Sequence, residues 1–218
     1  MPKCFDLLVF DWDGTLMDSA AVITASLQAA CADLGLPIPS DEKARFIIGL
    51  GLHDAMAHVL PELDPADYPR VTQRYRHHFL LRDSETALFP GAAETLKELH
   101  AAGFMLAIAT GKGRRGLDRA LEVTGMACYF HATRCADEGY SKPHPSMLQE
   151  LMSMLGVACE RTLMIGDTTH DMAMARNAHV ARLGVAYGAH PRQDLLAFEP
   201  VACVDGFAEL RAWLLANA

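Results

Sequence analysis

Leu7-Leu8-Val9-Phe10 runs without a break into Asp11-Trp12-Asp13-Gly14-Thr15-Leu16-Met17-Asp18-Ser19. A strand with one wet face alternates apolar and polar residues, so a continuous apolar run of this kind reads as a strand buried on both faces. Two carboxylates one residue apart come next. Like charges held that close repel, and a fold keeps them together chiefly where a cation or phosphate chemistry uses them. In extended backbone residues two apart point the same way, so Asp11 and Asp13 can face one site. Gly14 lets the chain bend sharply, and Thr15 offers a hydroxyl to a bound anion. The plainer alternative is a strand ending in an acidic turn, with one Asp capping the next helix.

Beyond that stretch the pattern turns helical. Asp18-Ser19 offers a cap, and Ala20 to Leu34 sets Val22, Ile23, Leu27, Ala30 and Cys31 on one helical face. After the Gly/Pro break at 35–40, Ser40-Asp41-Glu42 can cap a second helix. Phe46 to Leu52 is apolar but cut by Gly49 and Gly51, and His53 to Leu60 and Asp67 to Leu81 read as two more helices. Nothing between Met17 and Ala87 reads as a buried strand. From Phe89 onward helix and strand patterns alternate: helices at 92–102, 114–123, 146–155, 172–178 and 207–215, strands at 104–109, 162–165, 180–185 and near 201–204. Such alternation predicts an α/β fold, a Rossmann-like doubly wound parallel sheet core with a smaller inserted all-α domain. The expected spans are 1–16 and 88–218 for the core and 17–87 for the helical cap. In such sheets the working residues lie beyond the carboxyl ends of strands. Asp11, Thr110 and Asp167 all stand where a strand pattern stops.

Bulk properties narrow the partners. A chain of 218 residues with 51% apolar and 21% charged side chains has the make-up of a folded, water-soluble protein. A net charge of −8 argues against nucleic acid or an anionic membrane surface as partner. A small phosphate ester remains compatible, because one bound cation and one Lys can reverse the field locally. The six cysteines form no C-x-x-C pair and no His-Cys group, which reads as free thiols in a reducing compartment. With no signal pattern and no long apolar run, the expected location is the cytoplasm.

Asp11-Trp12-Asp13-Gly14-Thr15 resembles the first motif, D-x-D-G-T, of the haloacid dehalogenase superfamily of phosphohydrolases. Three later segments resemble the family's other motifs in the family's order: Thr110 at a strand end, Lys142 in Ser-Lys-Pro-His-Pro, and Gly166-Asp167-Thr168-Thr169-His170-Asp171 as G-D-x-x-x-D. By that resemblance Asp11 is the nucleophile that becomes an aspartyl phosphate. Asp13 protonates the leaving group and then activates water. Thr110, with Gly111 beside it, binds phosphoryl oxygens, and Lys142 neutralises their charge. Mg²⁺ is held by the Asp11 carboxylate, the Asp13 backbone carbonyl and the Asp167 carboxylate, while Asp171 stands behind these ligands or orients Lys142. The true dehalogenases lack the second Asp, so its presence favours phosphate chemistry.

The helical segment occupies the position of the family's inserted cap, and the layout most resembles phosphoglycolate phosphatase-like enzymes. The expected function is therefore a Mg²⁺-dependent phosphatase of a small-metabolite phosphate monoester, phosphoglycolate-like or a sugar phosphate. A phosphosugar mutase and a non-catalytic binding module on the same scaffold are the alternatives. Gly49 with its neighbours, and Arg45, are the expected cap contributions to substrate binding; a plain inter-helix turn is the competing reading. Oligomeric state is not legible. His170 lies within the acidic loop, but Mg²⁺ prefers oxygen to imidazole, so a ligand role is not expected. Gly111-Lys112-Gly113 lacks the spacing of a nucleotide phosphate loop.

Overall fold

The computed structural model describes residues 4–218, so the first three residues of the expected core span lie outside the described residues. The strands are β1 (Leu7–Phe10), β2 (Met17–Asp18), β3 (Ala87–Leu88), β4 (Met105–Thr110), β5 (Ala132–Cys135), β6 (Thr162–Gly166), β7 (Ala181–Val185) and β8 (Ala202–Val204). Six of them form one parallel sheet in the order β5-β4-β1-β6-β7-β8. β1 lies between β4 and β6, with Phe10 in register with Ile108 on one side and Ile165 on the other.

The helices are α1 (Ala20–Asp33), α2 (Asp41–Phe46), α3 (Leu52–Val59), α4 (Tyr68–Leu81), α5 (Ala92–Ala101), α6 (Arg114–Thr124), α7 (Ser146–Leu155), α8 (Thr169–Asn177), α9 (Arg192–Leu196) and α10 (Phe207–Asn217). The unbroken apolar run of β1 now has its reason. Leu8 and Phe10 pack on one face with Leu96 and Leu99 of α5 and Leu210 and Leu214 of α10. Leu7 and Val9 pack on the other with Leu148 and Leu151 of α7 and Met174 and Ala175 of α8. Both faces are covered, as a parallel sheet requires.

Between β2 and β3 the four helices α1–α4 enclose an apolar centre of their own, including Leu27, Cys31, Ala44, Met56 and Val71. β2 and β3 pair antiparallel, Met17 with Leu88 and Asp18 with Ala87, so the chain leaves for the helical block and returns from it along one two-stranded ribbon. The sequence does not announce that ribbon, which is too short for any periodicity. Nor does it announce β5: Thr133 and Arg134 interrupt its apolar pattern, which an edge strand tolerates. Ser40 Oγ accepts from Lys43 N at 3.3 Å, the cap expected for α2. Ser19, expected to cap α1, instead donates to Asp13 Oδ1 at 2.8 Å. Helix α8 starts earlier than the apolar spacing suggests, because Thr168 and Asp171 form a reciprocal capping box. Among the described residues all six cysteines are free, and no helix is long and apolar enough to cross a membrane.

Candidate active site

The adjacent strands β4, β1 and β6 end on one edge of the sheet, which brings Thr110, Asp11 and Asp167 together. Asp11 N donates to Ile165 O at 2.9 Å, carrying the strand pairing one residue past β1. Gly14 (φ 83°) turns the chain there, and a side chain at that position would collide with the Asp167 carboxylate.

Three carboxylates and one ammonium make the centre. Asp11 is fully buried; its Oδ1 accepts from Trp12 N at 2.6 Å and lies 2.9 Å from Lys142 Nζ. Its Oδ2 is buried with no hydrogen-bond partner. Asp167 accepts from Thr15 Oγ1 (2.8 Å) on Oδ1 and from Ala189 N (2.8 Å) on Oδ2. Asp171 Oδ1 accepts from Lys142 Nζ at 2.6 Å, and its Oδ2 accepts from Thr168 N (3.0 Å) and Thr168 Oγ1 (2.6 Å). Oxygens of Asp11, Asp167 and Asp171 lie within 4.8 Å of one another.

The electrostatics derive from that count. Burial drives the Asp11 carboxyl well above the usual range; Lys142 opposes this, while Asp171 and Asp167 add to it. Burial, then Asp171, lifts Asp167 to about 7. Burial alone would strip Lys142 of its proton, but Asp11 and Asp171 outweigh it and raise the ammonium's pKa above its ordinary value. One ammonium against three buried carboxylates leaves the site short of positive charge. An all-oxygen donor set with one unpartnered carboxylate oxygen fits a hard divalent cation such as Mg²⁺. Asp171 already takes three donors, one of them the Lys142 ammonium, whereas each Asp167 oxygen takes a single neutral donor and Asp11 Oδ2 takes none, so Asp11 and Asp167 are the carboxylates with capacity for it.

Asp13 is buried at 7% exposure and lines the cavity above Asp11. Its carboxylate accepts from Ser19 Oγ and is gripped by Lys112 Nζ at 3.0 and 2.8 Å. Lys112 is a site residue that sequence reasoning misses, because its segment invites comparison only with a nucleotide loop. Thr110 Oγ1 accepts from Lys112 N at 3.1 Å, which leaves the hydroxyl proton for another acceptor. Gly49 and Gly111 meet face to face: a Cβ on Gly111 would strike the Gly49 carbonyl, and one on Gly49 would stand 3.1 Å from Thr168 Oγ1. Gly51 N donates to Ser141 Oγ at 2.7 Å. The loop after α2 thus sits over Asp11 and Gly111.

Two expectations need correction. Thr15 does not offer its hydroxyl to an anion; it is fully buried and donates to Asp167, because the Gly14 turn points it inward. Arg45 does not line the cavity either. Its guanidinium donates to Gly188 O at 3.0 Å and to Ala189 O at 3.5 Å, tying the helical block to the loop that donates to Asp167. Next to it, Phe46 O accepts from His170 Nε2 at 2.7 Å and His190 Nε2 at 3.0 Å. His190 Nδ1 accepts from Thr169 N, so its proton is on Nε2. Burial first, opposed by the bond to Phe46, pulls His170 down to about 4, and burial lowers His190 too. Neither histidine belongs to the cluster of Asp11, Asp167 and Asp171; both bond to the helical block.

Known proteins resemble this chain over most of its length. The model of the family described as haloacid dehalogenase-like hydrolase matches residues 8–185. A Dickeya dadantii protein named Probable phosphatase IndB is 37% identical, over 94% of this chain and 91% of its own length. A phosphoglycolate phosphatase of Agrobacterium fabrum is 32% identical, over 94% of this chain and 90% of its own. The crystal structure of a hydrolase from Pseudomonas syringae superposes with a TM-score of 0.90 at 21% identity, covering 98% of this chain and 99% of that one, a likeness of fold.

Proposed function

The chain belongs to the haloacid dehalogenase-like hydrolases, and on that premise we propose that it is a Mg²⁺-dependent phosphatase of small-metabolite phosphate monoesters working through an aspartyl phosphate on Asp11. The observation that carries the reading is Asp11: a buried carboxylate with one oxygen, Oδ2, free of hydrogen bonds, in a residue that lines the cavity. A carboxylate so placed is stripped of water and borders the space that a substrate phosphoryl group would enter.

Two displacements at phosphorus make up the reaction. An Asp11 carboxylate oxygen bonds to phosphorus as the ester P–O bond breaks, and the leaving oxygen takes a proton from the Asp13 carboxyl. Water then attacks phosphorus, Asp13 takes its proton, and cleavage of the acyl-phosphate P–O bond restores Asp11 and frees phosphate. Ser19 and Lys112 fix the orientation of Asp13. Lys142, locked between Asp11 and Asp171, faces the equatorial phosphoryl charge with a cation that burial keeps from wandering. The Thr110 hydroxyl donates to a phosphoryl oxygen. A Mg²⁺ held by the carboxylates of Asp11 and Asp167 and the carbonyl of Asp13 would neutralise charge between nucleophile and phosphate. Thr15 and the Ala189 amide keep Asp167 aimed for that role. The loop from Gly49 to Gly51 closes the site against water, and the free thiols are consistent with a cytoplasmic setting.

Phosphate release from a panel of esters, with and without Mg²⁺, tests the reading together with Asp11→Asn. Metal-dependent release of free phosphate, rather than an isomerised sugar phosphate, is expected. The variant should lose on the order of 10³-fold or more in kcat while keeping its fold. An Asp11→Asn protein as active as the parent would refute the covalent route.

A further inference from the structure

The chamber above Asp11 is far larger than a two-carbon acid phosphate needs. It measures about 900 Å³, within the range that encloses drug-sized ligands. Its inner end is Asp11, Thr110 and Gly111; from there it runs outward between the helical block and α6. Much of its wall is apolar. Ile48 and Leu50 come from the loop after α2, Tyr75, Phe79 and Leu80 from α4, and Val123 from α6. The rings of Tyr75 and Phe79 stand 6.0 Å apart. The apolar lining continues to the mouth, where Leu80 and Val123 remain 53% and 73% exposed.

Three of the five cations along that wall are committed elsewhere. Lys112, the one that faces Asp13, is held by both its carboxylate oxygens and lies 4.7 Å over the Phe79 ring. Arg114 is bound to Glu138 and Asp118, and Arg119 to Asp83. Arg76 and Arg115 have no carboxylate partner among the described residues, but both are exposed, where water screens them. Arg45, in α2 of the helical block, grips the carbonyls of Gly188 and Ala189. A carboxylate one carbon from the phosphate would therefore either compete with Asp13 for Lys112 or lie unpaired on an apolar wall, which is costly. The hydroxyls of a sugar phosphate would meet the same wall.

We propose that this site takes a phosphomonoester whose alcohol carries a bulky apolar, aromatic body, laid against Ile48, Leu50, Tyr75 and Phe79, in preference to phosphoglycolate or a sugar phosphate. The inference rests on the phosphatase reading above and names the substrate class for it. Burying the body against the cap expels water from the chamber, so apolar contact energy also serves to hold the cap closed over the reaction centre.

The test compares 2-phenylethyl phosphate, phosphoglycolate, glucose 6-phosphate and acetyl phosphate with Mg²⁺ present. The phenylethyl ester is chosen because its leaving group is a primary alcohol, as in phosphoglycolate, so reactivity does not masquerade as recognition. Its kcat/KM should exceed that of phosphoglycolate and of glucose 6-phosphate by about 100-fold. Phe79→Ala should shrink its advantage over acetyl phosphate about tenfold. If acetyl phosphate is turned over while phosphoglycolate or glucose 6-phosphate matches or beats the phenylethyl ester, the substrate class is overturned and the phosphatase reading stands. If none of the four, acetyl phosphate included, releases phosphate with Mg²⁺, both fall.

Discussion

The pair of histidines on Phe46 O makes a pH dependence that belongs to the contact between cap and core. A carbonyl oxygen only accepts, so His170 must carry its proton on Nε2, and a second proton on Nδ1 would charge a ring that is 8% exposed. Its surroundings are mixed: His190 and Lys142 disfavour the charge, Asp171 and the Phe46 carbonyl favour it, and burial decides against it. The pKa falls from 6.5 to about 4, so between those values the unfolded chain binds a proton that the folded chain refuses. Stability is thus fully present above the unfolded pKa and drains away as pH falls through that window. Integrating between about pH 7.5 and about pH 5 gives a loss of roughly 2 kcal/mol from this one side chain. His170→Gln keeps an N–H for Phe46 O but cannot titrate. Urea denaturation of both proteins at the two pH values should show the parent losing about 2 kcal/mol more than the variant, since carboxylate contributions cancel in the difference. Parallel pH profiles would refute the assignment of a neutral, buried His170.

Two further substitutions separate roles that the sequence alone conflates. Thr15→Val removes the donor to Asp167 Oδ1, and the Mg²⁺ concentration for half-maximal activity should rise about tenfold or more while KM for the ester at saturating Mg²⁺ stays within about twofold; a change confined to KM would return Thr15 to substrate binding. Arg45→Ala cuts the tie to Gly188 and Ala189, and kcat/KM should fall by about tenfold for every ester alike, because closure weakens without altering the walls. A reordered substrate ranking in steady-state assays would contradict that.

Much of the scaffold is legible because its signals are local. Leu7 to Phe10 has to be a doubly covered strand, and covering it on both faces requires helices on both sides, which the alternation after Phe89 supplies. The helical block is legible for the converse reason: no run between Met17 and Ala87 has the unbroken apolar character of a central strand. The elements that escape are short or at an edge. β5 carries Thr133 and Arg134 in its middle, and two-residue strands such as β2 and β3 have no period to detect. The early start of α8 is hidden because its first turn is set by a side-chain cap and not by apolar spacing.

The site divides along a similar line, between residues whose neighbours in sequence reveal them and residues whose meaning lies in a distant partner. Asp11 and Asp167 stand at strand ends, and Lys142 just before Pro143 and Pro145, so their setting is written beside them. Thr15 looks like an anion ligand until its partner, 152 residues away, is known to be Asp167. Arg45 looks like a specificity residue until its 143-residue reach to Gly188 turns it into a latch. Lys112 gains its role only from Asp13, 99 residues earlier. All three are long polar contacts across the seam between helical block and sheet, or between strand ends within it, and a one-dimensional pattern holds no trace of them. The consequence reaches the chemistry. Once Arg45 and Lys112 are spent on carbonyls and on Asp13, the cavity that remains beside Asp11 is walled in part by Ile48, Tyr75 and Phe79 and has no buried cation to spare. Contacts that tie the cap to the core are the same contacts that leave its interior without a buried cation, so the substrate class proposed above follows from one allocation of charge.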